Sequence, residues 1–370
     1  MKSKTLLGHL SYGIATDLVE AWITETGGHV APVTFHLPNG DVRPFSVAPW
    51  GEERHDIASI LQVLRGDFFC VPFGGNDLPY GEEQHPIHGE TANKDWQVVS
   101  QTESAIEMSL TTTIRPGTVH KKVWAVPGQD AIYQRHTIRG MTGPMCIGHH
   151  AMVKFKSQGI VSVAPFGFGQ VFPGEFESPV QGGYSSLKPG ARFDRLDHVP
   201  SNDGTFADLT KYPSREGFED LAMVYAEKGS EFGWTTVTFP EEGYIWFSLK
   251  DPRVLAGTIL WHSNGGRHYA PWSSRHRGVL GLEEVTSYMH YGLAGSVAEN
   301  EASRAGYRTY FDLSADTPLT ATTIIGVVPC QSDTGAVLNI EPVAQGIRIK
   351  TANGEQFDVQ LDIQELYAKE

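Results

Sequence analysis

The chain has 370 residues, of which 40% are hydrophobic and 19% charged, proportions that are ordinary for a globular protein with a large core. Its 43 acidic residues outnumber its 29 basic ones, and the resulting formal charge of −14 repels phosphate backbones and argues against a nucleic-acid partner. The sequence has no run of about 18 apolar residues, so it predicts no membrane span.

The N-terminal residues and the cysteines bear on the cellular compartment. Residues 1–4 are polar or basic apart from Met1, and residues 5–9 are too few and too polar to form the apolar part of a secretory signal. The three cysteines, Cys70, Cys146 and Cys330, are odd in number and far apart, which indicates free thiols. We therefore expect a cytoplasmic protein, with a catalytic cysteine as an open alternative.

In chain order, most predicted elements are β-strands. The runs are short, alternate in polarity or are β-branched, and are bounded by Gly, Pro, Asp or Asn, which is typical of successive antiparallel strands. They cover residues 111–114, 119–126, 131–138, 231–239, 244–249, 254–261, 319–328, 346–350 and 357–361. Between the last two, Asn353-Gly354 is a hairpin signal.

Few helices are predicted. Ile57, Ile60, Leu61 and Leu64 follow the helical spacing, and residues 297–305 are a second candidate. Residues 157–220 are rich in Gly, Pro, Ser and aromatic residues with weak periodicity, and we expect them to form long loops over one face of the fold. Because strands and helices do not alternate, the sequence predicts one all-β domain over residues 1–370, a two-sheet antiparallel sandwich with few short helices.

A histidine-rich loop is the first of three stretches that could carry chemistry. His85-Pro86-Ile87-His88-Gly89 precedes a predicted strand that begins after Trp96. Glycine after His88 would leave space for the imidazole to approach a ligand, which makes His88 a candidate. An ordinary surface histidine is the alternative.

A histidine doublet is the second stretch. Gly148-His149-His150 lies at the start of an apolar run, and neighbouring side chains on a strand point to opposite faces. Only one of the two imidazoles can therefore face a given pocket. One core and one exposed histidine would also satisfy the pattern.

A glutamate doublet is the third stretch. Glu283 and Glu284 follow an apolar strand, so one of the two must face inward. A desolvated glutamate has a raised pKa and can act as a general base. A salt bridge to Arg275 or Arg277 is the alternative.

The order of these stretches resembles the galactose mutarotase (aldose 1-epimerase) family. His85–Gly89 running on to Trp96 is similar to that family's His-x-His-Gly-Gly loop and tryptophan-bearing strand. Gly148–His150 is similar to its Thr-Asn-His stretch, and Gly281–Glu283 to the strand that ends in its catalytic glutamate. Arg65 lies where the family has a sugar-contacting arginine. The resemblance covers residues 18–365 and implies a β-supersandwich.

The resemblance also implies an activity and roles for residues. We expect an enzyme that interconverts sugar anomers, with Glu283 as base, His150 as acid and His88 as a hydrogen-bond donor to the ring oxygen. Trp96 and Trp272 are candidate stacking faces for the sugar.

The sequence departs from the family at three places near the expected site. Glu90 replaces a glycine, His149 replaces an asparagine, and Trp261-His262 stands where the family has Asp-His. We therefore expect His262 to help bind the substrate, a small sugar or sugar derivative whose identity the sequence leaves open. Neither a cofactor nor a metal is expected.

Three alternatives remain at this stage. The altered residues would suit a carbohydrate-binding protein without turnover, and a lyase or hydrolase on a related sandwich would usually carry an additional helical domain. A metal enzyme would use His85, His88, His150 and His262.

Overall fold

The structure, a computed structural model, describes residues 2–53 and 55–368. The strands up to residue 171 are β1 Ser3–Leu6, β2 His9–Ala15, β3 Val19–Thr24, β4 Val30–Leu37, β5 Gly40–Val42, β6 Phe69–Cys70, β7 Gln97–Gln101, β8 Ala105–Thr112, β9 Gly117–Ala125, β10 Ala131–Arg139, β11 Gly143–Met145, β12 Ile147–His149, β13 Ala151–Lys154, β14 Gly159–Val163 and β15 Phe166–Val171.

The later strands are β16 Arg192–Phe193, β17 Val199–Pro200, β18 Phe206–Ala207, β19 Lys211–Tyr212, β20 Glu219–Ala226, β21 Gly233–Phe239, β22 Tyr244–Lys250, β23 Gly257–Ser263, β24 Val279–Thr286, β25 Phe311–Leu313, β26 Leu319–Pro329, β27 Val337–Val343, β28 Gly346–Thr351 and β29 Gln356–Gln360. The helices are α1 Ser59–Val63, α2 Gly292–Val297 and α3 Glu301–Arg304, with 3₁₀ turns at Glu90–Ala92, Pro179–Gln181 and Ile363–Leu366.

Two large antiparallel sheets form the body of the protein. The nine-stranded sheet has the order β19-β14-β21-β22-β26-β10-β9-β8-β7. The eight-stranded sheet has the order β16-β15-β20-β23-β24-β12-β6, with β13 also paired to β24. Strands β1 to β5 make a separate N-terminal sheet, and β27, β28 and β29 make a C-terminal one.

The central strands of both sheets are buried along their whole length. Every residue of β22, β23 and β24 is buried, so these strands are covered on both faces. The inner faces of the two large sheets meet, and a second apolar cluster, which includes Phe247 and Ile349, packs the C-terminal sheet against the nine-stranded one. This burial explains why these strands read as continuous apolar runs rather than as strict alternation.

The predicted all-β architecture and its antiparallel strands are confirmed. The first predicted helix is shorter than expected, since α1 ends at Val63 and the backbone of Leu64 leaves the helical region with φ −45° and ψ 107°. The second candidate is divided, because Ala298 is extended (φ −60°, ψ 153°) and Asn300 caps a new helix, α3.

Residues 157–220 differ from the expected run of loops. Two full strands begin the segment, and β14 joins the nine-stranded sheet while β15 joins the eight-stranded one. Residues 172–218 then pass through short two-residue strands and loops. The glycines among residues 166–169 suggest a loop, but they lie within β15. Glycine is required at position 169, because a Cβ there would lie 2.6 Å from the Phe193 ring.

None of the helices within the described ranges is both long and apolar enough to cross a membrane.

Candidate active site

A cleft of about 260 Å³ opens on the outer face of the eight-stranded sheet. Strands β23 and β24 contribute Trp261 and Glu283 to its lining, while α1 and the loops around His88, Phe176 and Arg267 contribute the rest. Two larger depressions, of about 560 and 420 Å³, lie among residues 158–221, but no histidine lines either of them. The smaller cleft instead brings three histidines, His88, His150 and His290, together with Glu283.

The pairing of β23 with β24 directs Glu283 into the cleft. Cross-strand partners share a face, and Trp261 pairs with Gly281 while Ile259 pairs with Glu283. A Cβ at Gly281 would lie 2.5 Å from Glu283 Oε1 and 3.0 Å from the Trp261 Cβ. Glycine at this position therefore leaves the space that the carboxyl group occupies. Burial raises the pKa of Glu283 well above its ordinary value.

His150 is the nearest titratable partner of Glu283. It lies between β12 and β13, its ring stacks on Phe68 at 4.6 Å, and its Nε2 is 3.3 Å from Glu283 Oε1. Burial lowers the pKa of His150 to about 3. Both shifts favour the uncharged forms, a protonated Glu283 carboxyl group beside a neutral His150 ring.

His88 completes the group with a fixed tautomer. Its ring lies 4.8 Å from the His150 ring, and its Nδ1 accepts a hydrogen bond from the Gly74 N–H at 3.3 Å. Since burial lowers the pKa of His88 well below its ordinary value, the proton of the neutral ring resides on Nε2. His88 therefore presents a hydrogen-bond donor.

The backbone at His88 is in the left-handed region, with φ 58°, a conformation that is uncommon outside glycine and concentrates at functional sites. Its N–H donates to the Gly74 carbonyl at 2.7 Å. The following glycine has a different role from the expected one. A Cβ at Gly89 would lie 1.9 Å from the Val71 carbonyl oxygen, so Gly89 makes space for main chain and not for a ligand.

The other member of each doublet faces the core between the sheets. Glu284 forms an ion pair with Lys250 of the nine-stranded sheet and accepts hydrogen bonds from Thr235 and Thr258 at 2.8 and 2.7 Å. His149 Nδ1 lies 2.9 Å from Asp67 Oδ2, which also accepts from Gln134. The strand alternation thus separates cleft groups from core groups.

The comparisons with known proteins bear on the fold. No protein-family model matches the sequence, and no curated protein matches it significantly. Among solved structures, a candidate aldose 1-epimerase from Escherichia coli K12 is similar over 86% of this chain and 99% of its own, with a TM-score of 0.60 and 12% identity. A galactose mutarotase-like protein from Lactobacillus casei ATCC 334 covers 86% of this chain and 100% of its own (TM-score 0.57, 12% identity).

A galactose mutarotase related enzyme from Lactobacillus acidophilus gives a TM-score of 0.55 at 10% identity, over 87% of this chain and 98% of its own. The chain has the galactose mutarotase-like fold. The resemblance drawn from the ordered motifs is thereby confirmed for the fold.

Within this mutarotase-like fold, three of the expected substrate-binding residues are not among those that line the cleft. Arg65 is fully buried and donates to the carbonyls of Val63, Leu6 and Leu7. It therefore ties the N-terminal hairpin to the chain after α1, and each of its three guanidinium nitrogens donates to main chain and not to the cleft.

Trp96 and His262 are also directed elsewhere. Trp96 is buried, and its indole N–H donates to the Thr91 carbonyl at 2.9 Å. His262 follows Trp261 on β23, so it faces the core, where its ring lies 5.4 Å from Tyr212. Of the pair Trp261-His262, Trp261 alone is among the residues that line the cleft.

Trp272 lies in the cleft wall as expected, and its ring is 6.0 Å from that of Trp261. Two of the four histidines that a metal site would use do not line the cleft. His85 Nε2 contacts Glu83 at 2.9 Å, and His262 faces the core. Within residues 2–53 and 55–368, no group of three or more His, Cys, Asp or Glu side chains has the arrangement of a metal site.

Sequence reasoning missed several residues of the cleft. Trp261 was regarded only as a departure from the family, and His290, whose ring is 5.0 Å from His88, was not considered. Arg267 was missed as well, although its position between Trp261 and Trp272 in the sequence was a usable signal. Burial lowers the pKa of His290 to about 4, so this ring is neutral at pH 7.

Proposed function

We propose that this protein interconverts the anomers of an aldose by general acid–base catalysis in the cleft. The observation that carries the proposal is the contact of 3.3 Å between His150 Nε2 and Glu283 Oε1, with the donor His88 beside it. Two acid–base groups and a neutral donor are the set that ring opening and closure of a sugar require.

In the proposed reaction the base takes the proton of the C1 hydroxyl while the acid protonates the ring oxygen. The bond between C1 and the ring oxygen breaks and C1 becomes an aldehyde. Rotation about C1–C2 and closure on the other face then give the other anomer. The base returns its proton to the C1 oxygen and the acid recovers its proton from the ring oxygen. Glu283 is assigned as the base and His150 as the acid, with the Nε2–H of His88 donating to the ring oxygen.

The neutral resting pair reaches this state by an internal proton shift. Moving the proton of the Glu283 carboxyl group to His150 gives the carboxylate base and the imidazolium acid together, without exchange with solvent. Opposite charges in contact stabilise each other, and hydroxyl groups of a bound sugar would add hydrogen bonds to both. The aromatic surroundings, Phe68 and Trp261, exclude water and strengthen this interaction.

The test is Glu283→Gln, which keeps the shape of the side chain and removes the base. The wild-type protein should accelerate anomer exchange of at least one aldose in two-dimensional exchange NMR. The variant should lose about 10²–10⁴-fold of that acceleration, the usual contribution of one positioned acid or base. Its thermal unfolding should stay close to that of the wild type, since no ion pair of a core cation is broken.

Unchanged exchange in Glu283→Gln would refute the assignment. Binding of a sugar by the wild type with no acceleration of exchange for any bound sugar would instead support the alternative of a carbohydrate-binding protein without turnover. Because binding and exchange are measured on the same samples, the two outcomes are separable.

A further inference from the structure

Arg267 places a positive charge in a cleft whose other groups are neutral. Its side chain is only 16% exposed, and its guanidinium lies 4.4 Å from the Trp272 ring centroid and 5.3 Å from that of Trp261. Burial opposes the charge, but the carboxylates of Glu177 and Glu219 raise the pKa of Arg267. The guanidinium therefore stays charged at pH 7.

The remaining titratable groups of the cleft lining do not cancel this charge. Burial lowers the pKa values of His88, His150 and His290, and it raises that of Glu283. One carboxylate lies behind the arginine: Glu177 accepts from Arg267 Nε at 2.5 Å and from the Tyr269 hydroxyl at 3.1 Å. It holds one side of the guanidinium and fixes its orientation.

The two terminal amino groups of Arg267 have no hydrogen-bond acceptor among the described residues, whereas Nε has one. These amino groups are not among the fully buried polar atoms that lack a partner, so they are accessible from the cleft and can bind a ligand. A structural arginine that only braced Glu177 and the two tryptophans would explain Nε and the ring faces. It would leave the terminal amino groups unexplained.

We propose that Arg267 binds an anionic group of the substrate, so that the protein acts on aldoses that carry a carboxylate or a phosphate at the end remote from C1. Both groups present oxygens that the guanidinium fork can bind in pairs. Trp261 contacts both Arg267 and His150, at 5.3 and 5.6 Å, so one monosaccharide over this ring reaches the cation and the acid–base pair together. The inference rests on the proposed function for the position of C1.

The size of the cleft agrees with a single sugar. Its volume of about 260 Å³ lies just below the range of roughly 300–1,000 Å³ usual for drug-sized ligands. The overall charge of −14 makes a cation in this cleft more informative, because the surface as a whole repels anions.

The experiment compares sugars that differ only at C6. Binding of D-glucose, D-glucuronate and D-glucose 6-phosphate, and of the same three forms of galactose, is measured by calorimetry with the full-length protein. At least one anionic sugar should bind about 10–100-fold more tightly than its neutral parent, the range expected for charge-assisted hydrogen bonds. The uronate and phosphate arms decide which anion is preferred.

Arg267→Gln should remove this preference, so that the anionic sugar binds no more tightly than its neutral parent. Arg267→Lys, which keeps the charge but not the fork, should retain part of it and covers the case in which the glutamine variant does not fold. Arg277→Gln is the matched control, since Arg277 is a half-exposed arginine that pairs with Glu216 and does not line the cleft.

Equal affinity for neutral and anionic sugars overturns the inference, and so does the absence of binding by every anionic sugar. An undiminished anionic preference in folded Arg267→Gln or, where that variant does not fold, in Arg267→Lys overturns it as well. Anomer exchange on neutral sugars alone would overturn it while leaving the proposed function intact. Tight binding of an anionic sugar without exchange would support the inference and count against the proposed function.

Discussion

The same residue types have different surroundings on the two faces of the eight-stranded sheet. On the inner face, Glu284 is paired with Lys250 and two threonine hydroxyls, so its charge is fully compensated. On the outer face, its neighbour Glu283 has only a histidine within reach, and burial raises its pKa. A glutamate held by a cation and two hydroxyl groups has its interactions satisfied within the core. A glutamate whose one titratable neighbour is a histidine can exchange a proton with it.

The histidine doublet repeats this difference. His149 Nδ1 contacts the Asp67 carboxylate, which Gln134 also contacts, although the buried Nε2 of His149 has no hydrogen-bond partner among the described residues. His150 stacks on Phe68 and has no hydrogen-bond partner at its buried Nδ1 among the described residues. The inner face thus specifies how the sheets pack, and the outer face carries the groups that can react.

The largest test of this comparison is Glu284→Gln. It removes the carboxylate that neutralises buried Lys250, and an uncompensated buried charge costs about 3–5 kcal/mol. We expect a loss of that order in the free energy of unfolding, measured with urea, and anomer exchange close to wild type below the transition. Glu283→Gln is the control, for which we expect stability close to wild type and a loss of anomer exchange. Equal effects of both variants on stability would break the distinction between the faces.

A smaller effect is expected in the pH dependence of stability. Burial lowers the pKa of His150 to about 3. As the pH falls below about 6.5, this histidine therefore binds a proton in the unfolded chain but not in the folded protein. Its contribution to stability is complete above pH 6.5 and is lost as the pH falls towards about 3. Between pH 7 and 5 this amounts to about 2 kcal/mol.

The measurement is the free energy of unfolding at pH 7 and pH 5 for wild type and His150→Gln. The difference between the two pH values should be smaller in the variant by up to about 2 kcal/mol. His120→Gln, which replaces an exposed histidine on β9, is the control. Burial raises the pKa of Glu219 to about 7 and also raises that of Glu283, and both carboxyl groups are present in all three proteins, so their opposing contributions leave the comparison to His150. An unaltered difference in His150→Gln would contradict the neutral pair.

The smallest effect is expected for Gly281→Ala. The added methyl group would meet Glu283 Oε1 at 2.5 Å and displace the carboxyl group from His150. We expect anomer exchange to fall by about tenfold, because acid–base catalysis depends on this geometry. Gly335→Ala, in the loop before β27 and outside the cleft lining, shows what a methyl group does elsewhere, since its nearest neighbour would be the Ala352 Cβ at 3.3 Å. Full activity of Gly281→Ala would mean that the distance between Glu283 and His150 is not critical.

The sequence by itself determined the β architecture and the alternation of each doublet. Short strands with turn residues at their ends are a local property, and the period of two requires that Glu283 and Glu284, or His149 and His150, face opposite ways. It also determined the order of the motifs, from which the fold resemblance followed.

The family resemblance selected Glu283 and His150 from the doublets, and only the tertiary structure decided what else lies in the cleft beside them. Arg65 carries a charge that the sequence placed near a sugar, yet the carbonyls that bind it come from residues 6, 7 and 63, which only folding brings together. Arg267 lies next to His150 and Glu283 through Trp261, although more than a hundred residues separate it from the histidine. Contacts between distant strands depend on sheet order and register, and a local pattern of residues does not encode either.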